Sequence, residues 1–131
     1  MKMIFKALVL LIFSSSIANA HGMDKLGPHK GYVQMPGAFH TEVVQDKDGS
    51  FRIYLLDVEF KNAITKNSEI KAKIKSGRTY QLNCMVMNDY FHCVGTKEVT
   101  GNGSGELYIS ATRDGIKGNE AVYQLPLKLQ K

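Results

Sequence analysis

After its first twenty residues, the chain consists largely of short stretches in which apolar and polar residues alternate. Such a period of two is typical of strands with one buried face, and helical periodicity is nearly absent. Asp46-Lys47-Asp48-Gly49 and Ser76-Gly77-Arg78 have the composition of hairpin turns between such stretches. Strands are predicted at residues 39–45, 50–58, 69–75, 79–86, 90–94, 106–112 and 121–129.

This spacing of short strands predicts the fold class. About seven or eight strands, with turns every 8–12 residues, are typical of a single antiparallel β-sandwich, either Ig-like or cupredoxin-like. A small closed β-barrel is the alternative. Residues 21–37, which contain several glycines and two prolines, should form an extended N-terminal arm. Pro126 within the last run indicates an edge strand or a bulge. We expect one domain over residues 21–131.

The two cysteines fit one strand pair. Residues 82–87 and 90–94 flank a two-residue turn at Asn88-Asp89, and counting outward from this turn sets Cys84 opposite Cys93. The alternation makes them a non-hydrogen-bonded pair, in which the Cα atoms approach most closely. We therefore expect a Cys84–Cys93 disulfide, which also fits an oxidising compartment.

The first twenty residues have the pattern of an export signal. Met1–Lys6 contains two lysines, Ala7–Phe13 is an unbroken apolar run, and Ala18-Asn19-Ala20 has the small-x-small form that signal peptidase cleaves. The apolar run is too short for a membrane span, and no later stretch approaches the roughly 20 apolar residues that a spanning helix needs. We expect a periplasmic or secreted protein without a membrane span, which begins at His21 after cleavage of residues 1–20.

The charge of the predicted mature chain is mildly positive. The whole chain has 17 Lys and Arg against 12 Asp and Glu residues, and two of the lysines leave with the signal, so the formal charge falls from +5 to +3. Lys71, Lys73 and Lys75 alternate with other residues and should lie on the solvated face of a strand. Nucleic-acid binding would require a basic stripe interleaved with aromatic residues, and we expect no such partner.

Three of the four histidines lie close to the predicted mature terminus: His21, His29 and His40. A free N-terminal His21 offers its α-amine, its ring and the next amide nitrogen as a metal chelate. On the predicted strand at 39–45, His40 and Glu42 point to the same face, so Glu42 could orient that imidazole or join it as a ligand. His29 lies in a glycine- and proline-rich turn that could swing over the same face.

Together these residues predict a site with three or four nitrogen and oxygen donors. Such a set suits Cu(II), Zn(II) or Ni(II), and the Irving–Williams order favours copper. The same residues also fit a purely structural explanation. His40 would then be a sheet residue hydrogen-bonded to Glu42, His29 a turn residue, and His21 a consequence of the cleavage position.

Residues 27–44 resemble a pattern found in small periplasmic proteins and in accessory domains of heavy-metal efflux adaptors. That pattern usually reads Gly-Pro-His-Gly-Gly, then an aromatic residue followed by His or Ala, then Glu and two aliphatic residues. This chain has Gly27-Pro28-His29-Lys30-Gly31 and Phe39-His40-Thr41-Glu42-Val43-Val44, so that Lys30 replaces the first glycine of the pair. The resemblance implies a metal-handling context, with His29 and His40 at matching positions and Glu42 beside them.

The predicted cystine hairpin carries a second group of donors on the face opposite its cysteines. Met85 lies directly across from His92, and Met87 shares their face. Two thioethers and an imidazole form the kind of soft donor set that Cu(I) prefers, and Met23 and Met35 could add further sulfur. Alternatively, this face could be the core side, where methionines are ordinary packing residues.

Catalytic motifs are missing from the sequence: it has no Gly-x-Ser-x-Gly elbow, no His-Glu-x-x-His helix and no glycine-rich phosphate loop. We predict a non-enzymatic exported protein that binds copper for carriage, buffering or resistance. The alternative is an interaction module that docks on an efflux, carrier or assembly protein of the envelope through an exposed sheet edge. A copper enzyme with an N-terminal histidine brace at His21 is the third hypothesis.

Overall fold

The computed structural model describes residues 24–96 and 99–129, together with the backbone of residues 21–22. The predicted export signal, residues 1–20, lies outside the described residues. The described part of the chain contains no helix that is long and apolar enough to cross a membrane. Its regular structure consists of strands β1 (His21–Gly22), β2 (Tyr32–Met35), β3 (His40–Gln45), β4 (Phe51–Leu56), β5 (Glu69–Ser76), β6 (Arg78–Gln81), β7 (Asn83–Val86), β8 (Phe91–Val94), β9 (Gly105–Arg113), β10 (Ile116–Lys117) and β11 (Ala121–Leu125).

These strands form two open antiparallel sheets. Sheet A has the order β1-β2-β3-β4-β8-β7, and sheet B has the order β10-β9-β5-β6, with β11 also paired to β9. In the part of the chain that the structure describes, a cluster of buried apolar side chains draws residues from both sheets. The prediction of an antiparallel β-sandwich is confirmed, and the open sheets do not form the closed barrel that was its alternative.

Sheet B shows the alternation that builds this core. In β9, Leu107 and Ile109 are fully buried while the residues between and beside them are partly exposed. In β5, Ala72 and Ile74 face the core, and Lys71 and Lys75 on the opposite face are exposed. Full burial of a Leu or Ile side chain contributes about 1.5–3 kcal/mol, so this alternating pattern fixes which face of the strand turns inward.

Strand β3 is buried on both faces. Thr41 and Val43 face the core and are inaccessible to solvent, but His40 and Glu42 on the opposite face are only 3% and 0% exposed. The outer face is covered because residues 24–31 fold over Glu42 and the ring of Phe60 stacks on His40. The sandwich therefore has a polar layer outside sheet A, and the candidate site lies there.

The last strand ends at Leu125, before Pro126 and short of the predicted residue 129, and the short strand β10 was not predicted; the largest differences lie in two other segments. Residues 21–37, predicted as an extended arm, contribute β1 and β2 to the edge of sheet A. The run at 79–86, predicted as one strand, is divided at Leu82, so that β6 belongs to sheet B and β7 to sheet A. Leu82 is buried, and its N–H donates to the carbonyl of Ala72 at 2.9 Å, which fixes the crossing point between the sheets.

The predicted disulfide is confirmed. Cys84 and Cys93 are register partners on β7 and β8, their Cα atoms are 4.0 Å apart, and they are disulfide-bonded. Cys93 is fully buried in the apolar cluster, and Cys84 packs against that cluster. The core therefore lies on the cysteine side of this hairpin, and the methionine side faces away from it.

Candidate metal site

Glu42 is a fully buried carboxylate in the middle of β3, on the face of sheet A that points away from the core. Its Oε2 accepts hydrogen bonds from the backbone N–H of His29 at 2.8 Å and of Gly31 at 2.9 Å. Its Oε1 lies 2.6 Å from Nδ1 of His29. Three donors therefore compensate the desolvation of this acid, which would be strongly unfavourable without them.

The turn that supplies these donors lies directly on Glu42. The N–H of Gly27 donates to the carbonyl of Gly31 at 2.8 Å, which closes the turn. A Cβ atom on Gly27 would be 2.5 Å from Oε2 of Glu42, and one on Gly31 would be 2.7 Å from the carbonyl oxygen of Val43. Both glycines are required because no side chain fits between the turn and the strand. Lys30 adopts a left-handed φ of 60° to complete the turn.

The hydrogen bonding of His29 determines which ring nitrogen is free. A carboxylate only accepts hydrogen bonds, so Nδ1 of His29 carries the proton that is shared with Glu42. In the neutral ring, the lone pair is then on Nε2. The side chain of His29 is 32% exposed, whereas that of Glu42 is not exposed at all. His29 thus presents a partly exposed imidazole whose orientation is fixed by its hydrogen bond to the buried Glu42.

Tyr54 forms the floor beneath the His29 ring. The two rings are stacked, with centroids 3.7 Å apart and planes 6° from parallel. Tyr54 is the register partner of Glu42, and its hydroxyl accepts a hydrogen bond from Arg52 at 3.2 Å. Burial raises the pKa of Tyr54, and the hydrogen bond to Asp46 raises the pKa of Arg52. At neutral pH the floor under His29 is therefore a neutral phenol.

His40 has different partners from the ones that its position on β3 predicts. Its Nδ1 is 2.9 Å from the carbonyl oxygen of Asp57 and therefore donates to it, and its ring stacks on Phe60 with centroids 4.0 Å apart. The acid that shares its face, Glu42, bonds to His29 instead. Glu42 therefore orients one of the two predicted ligands, and the loop after β4 orients the other.

Asp57 holds that loop in place. Its carboxylate accepts hydrogen bonds from the N–H of Lys61 at 2.9 Å and from the side-chain amide of Asn62 at 2.7 Å. The pKa of Asp57 is lowered, first by the hydrogen bond from the backbone of Lys61. The loop carries Phe60 at a left-handed φ of 63°, and this conformation places the ring over His40.

Only the backbone of His21 is described; its side chain and the whole of Met23 lie outside what the structure describes. In β1, His21 is the register partner of Met35 in β2. The pairing of β2 with β3, continued by one residue, sets Met35 beside His40. At about 4.8 Å per strand, the backbone at residue 21 lies roughly 10 Å from the backbone at His40.

The predicted donors are brought to one face without forming a closed cage. His29 and His40 both lie outside sheet A, and each has its own hydrogen-bond partner and its own aromatic neighbour. Over residues 24–96 and 99–129, no group of three or more His, Cys, Asp or Glu side chains is placed to hold a metal ion. A complete donor set in this region would therefore require donors other than the side chains of these residues.

The softer group predicted on the cystine hairpin faces solvent. Met85 is the register partner of His92, and the side chains of Met85 and Met87 are 52% and 42% exposed. Nε2 of His92 is 3.1 Å from the hydroxyl of Ser50. Met35 lies on β2, four strands from β7, or about 19 Å across the sheet at the usual strand spacing. It is too distant to join this group.

Sequence reasoning did not identify four residues that shape these sites: Tyr54, Asp57, Phe60 and Ser50. The register of the hairpin around residues 46–49 contains the signal for Tyr54, because it pairs Tyr54 with Glu42. Asp57 and Phe60 act from a loop in which a non-glycine residue has a positive φ, which no alternating pattern indicates.

Comparison with known proteins found no match: no protein-family model, no curated protein and no solved structure matches this chain. Its function therefore has to be inferred from the geometry of the site.

Proposed function

We propose that this is an exported protein that binds a transition metal, copper foremost, for carriage, buffering or resistance. The observation that carries the proposal is the pair formed by His29 and Glu42. A histidine whose Nδ1–H is held by a buried carboxylate, and whose other nitrogen keeps its lone pair, is the arrangement that metal-binding histidines commonly have. The side chain is also partly exposed, so an ion has access to it.

In this proposal Glu42 positions a ligand and does not bind the metal itself. Both of its oxygens already accept hydrogen bonds, and its side chain has no exposed surface. His40 is the second imidazole, and its Nδ1 is likewise occupied by a carbonyl, which leaves the lone pair on Nε2. Each of the two rings thus carries its lone pair on Nε2, at a partly exposed position in His29 and at a buried position in His40.

The N-terminal residue would supply the remaining donors. Cleavage after Ala20 would give His21 a free α-amine, and the pairing of β1 with β2 sets its backbone in the row of Met35 and His40. Nitrogen-rich sets of this kind suit Cu(II), Ni(II) or Zn(II), and the Irving–Williams order ranks copper first. The resemblance of residues 27–44 to metal-handling proteins of the periplasm points the same way. The proposal involves no catalytic step.

A metal titration with histidine variants tests this function. Protein purified from the periplasm of an expression host is titrated with Cu(II) and Zn(II). His29→Ala and His40→Ala should each weaken binding at least tenfold, a cost of about 1.4 kcal/mol, with an unchanged β-sheet circular dichroism spectrum. His92→Ala is the control because His92 lies on β8 with its ring bonded to Ser50, outside the proposed Cu(II) donor set, and it should bind Cu(II) like the wild type. Equal affinities for all three variants would contradict the proposal.

A second candidate function is supported by the edge of sheet A. Strand β7 is an outer strand without charged residues, and Val86 is 63% exposed. An uncharged, exposed edge can pair with a strand of another protein, here an efflux or carrier protein of the envelope. In that case Val86→Lys would abolish co-purification with that protein, and the His29→Ala and His40→Ala variants would bind metal as weakly as the wild type.

A further inference from the structure

The outward face of the β7–β8 hairpin carries two methionines that the core does not use. The disulfide between Cys84 and Cys93 places the apolar cluster on the other face of the hairpin. Met85 and Met87 lie on the face of the hairpin opposite its cysteines, and their side chains are 52% and 42% exposed. Packing in the core, the ordinary explanation for methionines on a strand, therefore does not apply to them.

His92 lies on the same face, and its hydrogen bond with Ser50 determines which ring nitrogen keeps the lone pair. It lies directly across from Met85 in the strand register. The hydroxyl of Ser50 donates its single proton to Oδ1 of Asp48 at 2.6 Å, and this bond lowers the pKa of Asp48. Ser50 must therefore accept from Nε2–H of His92, which lies 3.1 Å away. In neutral His92 the lone pair is then on Nδ1.

We propose that Met85, Met87 and His92 form a binding site for a soft monovalent metal ion, Cu(I), with two thioether sulfurs and Nδ1 of the imidazole as donors. Thioethers select Cu(I) over harder ions, and these three donors include no carboxylate that would favour calcium or magnesium. Ser50 is a positioning residue: by accepting from Nε2, it keeps Nδ1 free for the metal. The Cu(I) site does not depend on the site at His29, since the two use different strands and different donors.

The site is tested with Ag(I), which has the charge and closed d shell of Cu(I) and does not change oxidation state. The exported protein is labelled with ¹³C at the methionine methyl groups and titrated while NMR spectra are recorded. The methyl signals of Met85 and Met87 should move together and reach an end point at one equivalent. Met35 is 40% exposed on β2 and serves as the internal control, so its signal should not move. Movement of all three signals without an end point would show non-specific thioether contact and would overturn the proposal.

Variants separate ligands from the positioning residue. Met85→Leu, Met87→Leu and His92→Gln should each lower the Ag(I) affinity at least tenfold, and Met35→Leu should not change it. Ser50→Ala should lower the affinity about tenfold with all three ligands present, and should shift the ¹⁵N signals of the His92 ring towards a mixture of tautomers. His29→Ala should bind Ag(I) like the wild type, which distinguishes this site from the proposed Cu(II) site. Wild-type affinity in the Met85→Leu and Met87→Leu variants would overturn the proposal even if the arm binds Cu(II).

Discussion

The ring of His29 and the carboxylate of Glu42 meet at 2.6 Å between Nδ1 and Oε1, across a separation of 13 positions in the sequence. The acid is wholly buried, whereas the histidine side chain is 32% exposed. Residues 24–31 contain no strand, and this segment is joined to the outer face of sheet A by the bonds to Glu42 and by the stacking of His29 on Tyr54. The same contact therefore serves the fold and orients the candidate ligand.

Replacing Glu42 by Gln should destabilise the protein. The amide group offers one acceptor oxygen where the carboxylate has two, so either His29 or the backbone N–H groups of the turn face an amide N–H. We expect the free energy of unfolding to fall by about 2–3 kcal/mol in urea denaturation. Glu69→Gln, at an exposed position on β5, is the control and should stay within about 0.5 kcal/mol of the wild type. A stable Glu42→Gln variant would show that the turn is held by other contacts.

The glycines of the turn give a steric prediction. In Gly31→Ala, the new Cβ would be 2.7 Å from the carbonyl of Val43, a backbone atom that cannot move aside easily. Overpacking of this kind costs about 1–3 kcal/mol. Gly37→Ala is the matched control, because its nearest neighbour would be 3.6 Å away at Gly118 and no unusual φ is involved. Its stability should equal or slightly exceed that of the wild type. Similar melting temperatures for both variants would argue against a turn that lies tightly on β3.

Lys30→Gly should stabilise the protein. Lys30 is exposed and has a φ of 60°, a conformation that is unfavourable for residues with a Cβ and accessible to glycine. We expect a net gain of about 0.5–1 kcal/mol in the free energy of unfolding, because relief of the left-handed conformation, roughly 1–2 kcal/mol, exceeds the entropic cost of glycine, roughly 0.5–1 kcal/mol. Lys47→Gly is the control. Lys47 is an exposed turn residue without a positive φ, so replacing it by glycine should instead lower the stability. A loss in both variants would mean that flexibility of the unfolded chain outweighs relief of strain.

Much of the sheet structure was predictable from the sequence, because each prediction depended on local features. The turn at residues 46–49 sets the register of β3 with β4, and the turn at Asn88-Asp89 sets Cys84 opposite Cys93. Burial on one face then follows from the alternation, as Lys71 and Ala72 show on β5.

The remaining features depend on long-range packing. The division at Leu82 occurs where one run of residues leaves sheet B for sheet A, and the alternation on either side does not reveal it. The sequence suggested that His29 could lie over the face of Glu42, but neither the hydrogen bonds between these two residues nor the partners of His40 were predictable, because both depend on loops shaped by non-glycine residues with positive φ, Lys30 and Phe60. A strand pattern shows which residues share a face, but it does not show what folds over that face.

Acid should loosen the loop that covers His40. The pKa of Asp57 is lowered in the folded protein by the N–H of Lys61, so its contribution to stability is present above the unfolded pKa, near 3.8, and is lost as the pH falls through the lower folded value. In Asp57→Asn this part of the pH dependence should disappear. Unfolding measured between pH 2 and pH 6 should therefore show a flatter profile for the variant. Identical slopes below pH 4 would show that the carboxylate does not stabilise the loop.

The last prediction concerns His21 as a chain terminus. Its amine exists only if cleavage falls after Ala20, because any preceding residue converts that nitrogen into an amide. Protein with one additional N-terminal residue, such as the methionine left by cytoplasmic expression, should therefore bind Cu(II) more weakly although His21, His29 and His40 are all retained. The fold should not change, since β1 consists of only two residues.

The pH dependence of binding separates the amine from the ring of the same residue. An amine must lose its proton before it binds a metal, so the Cu(II) affinity of the native terminus should rise with pH up to about 7.7–8.0, where an α-amino group ordinarily titrates. The extended protein lacks this group, so the rise in Cu(II) affinity over the range in which the α-amine loses its proton should be absent from it. Isothermal titration of both proteins at several pH values measures the difference. If the two affinities agree over the whole range, His21 does not contribute its amine, and the proposed Cu(II) site rests on His29 and His40.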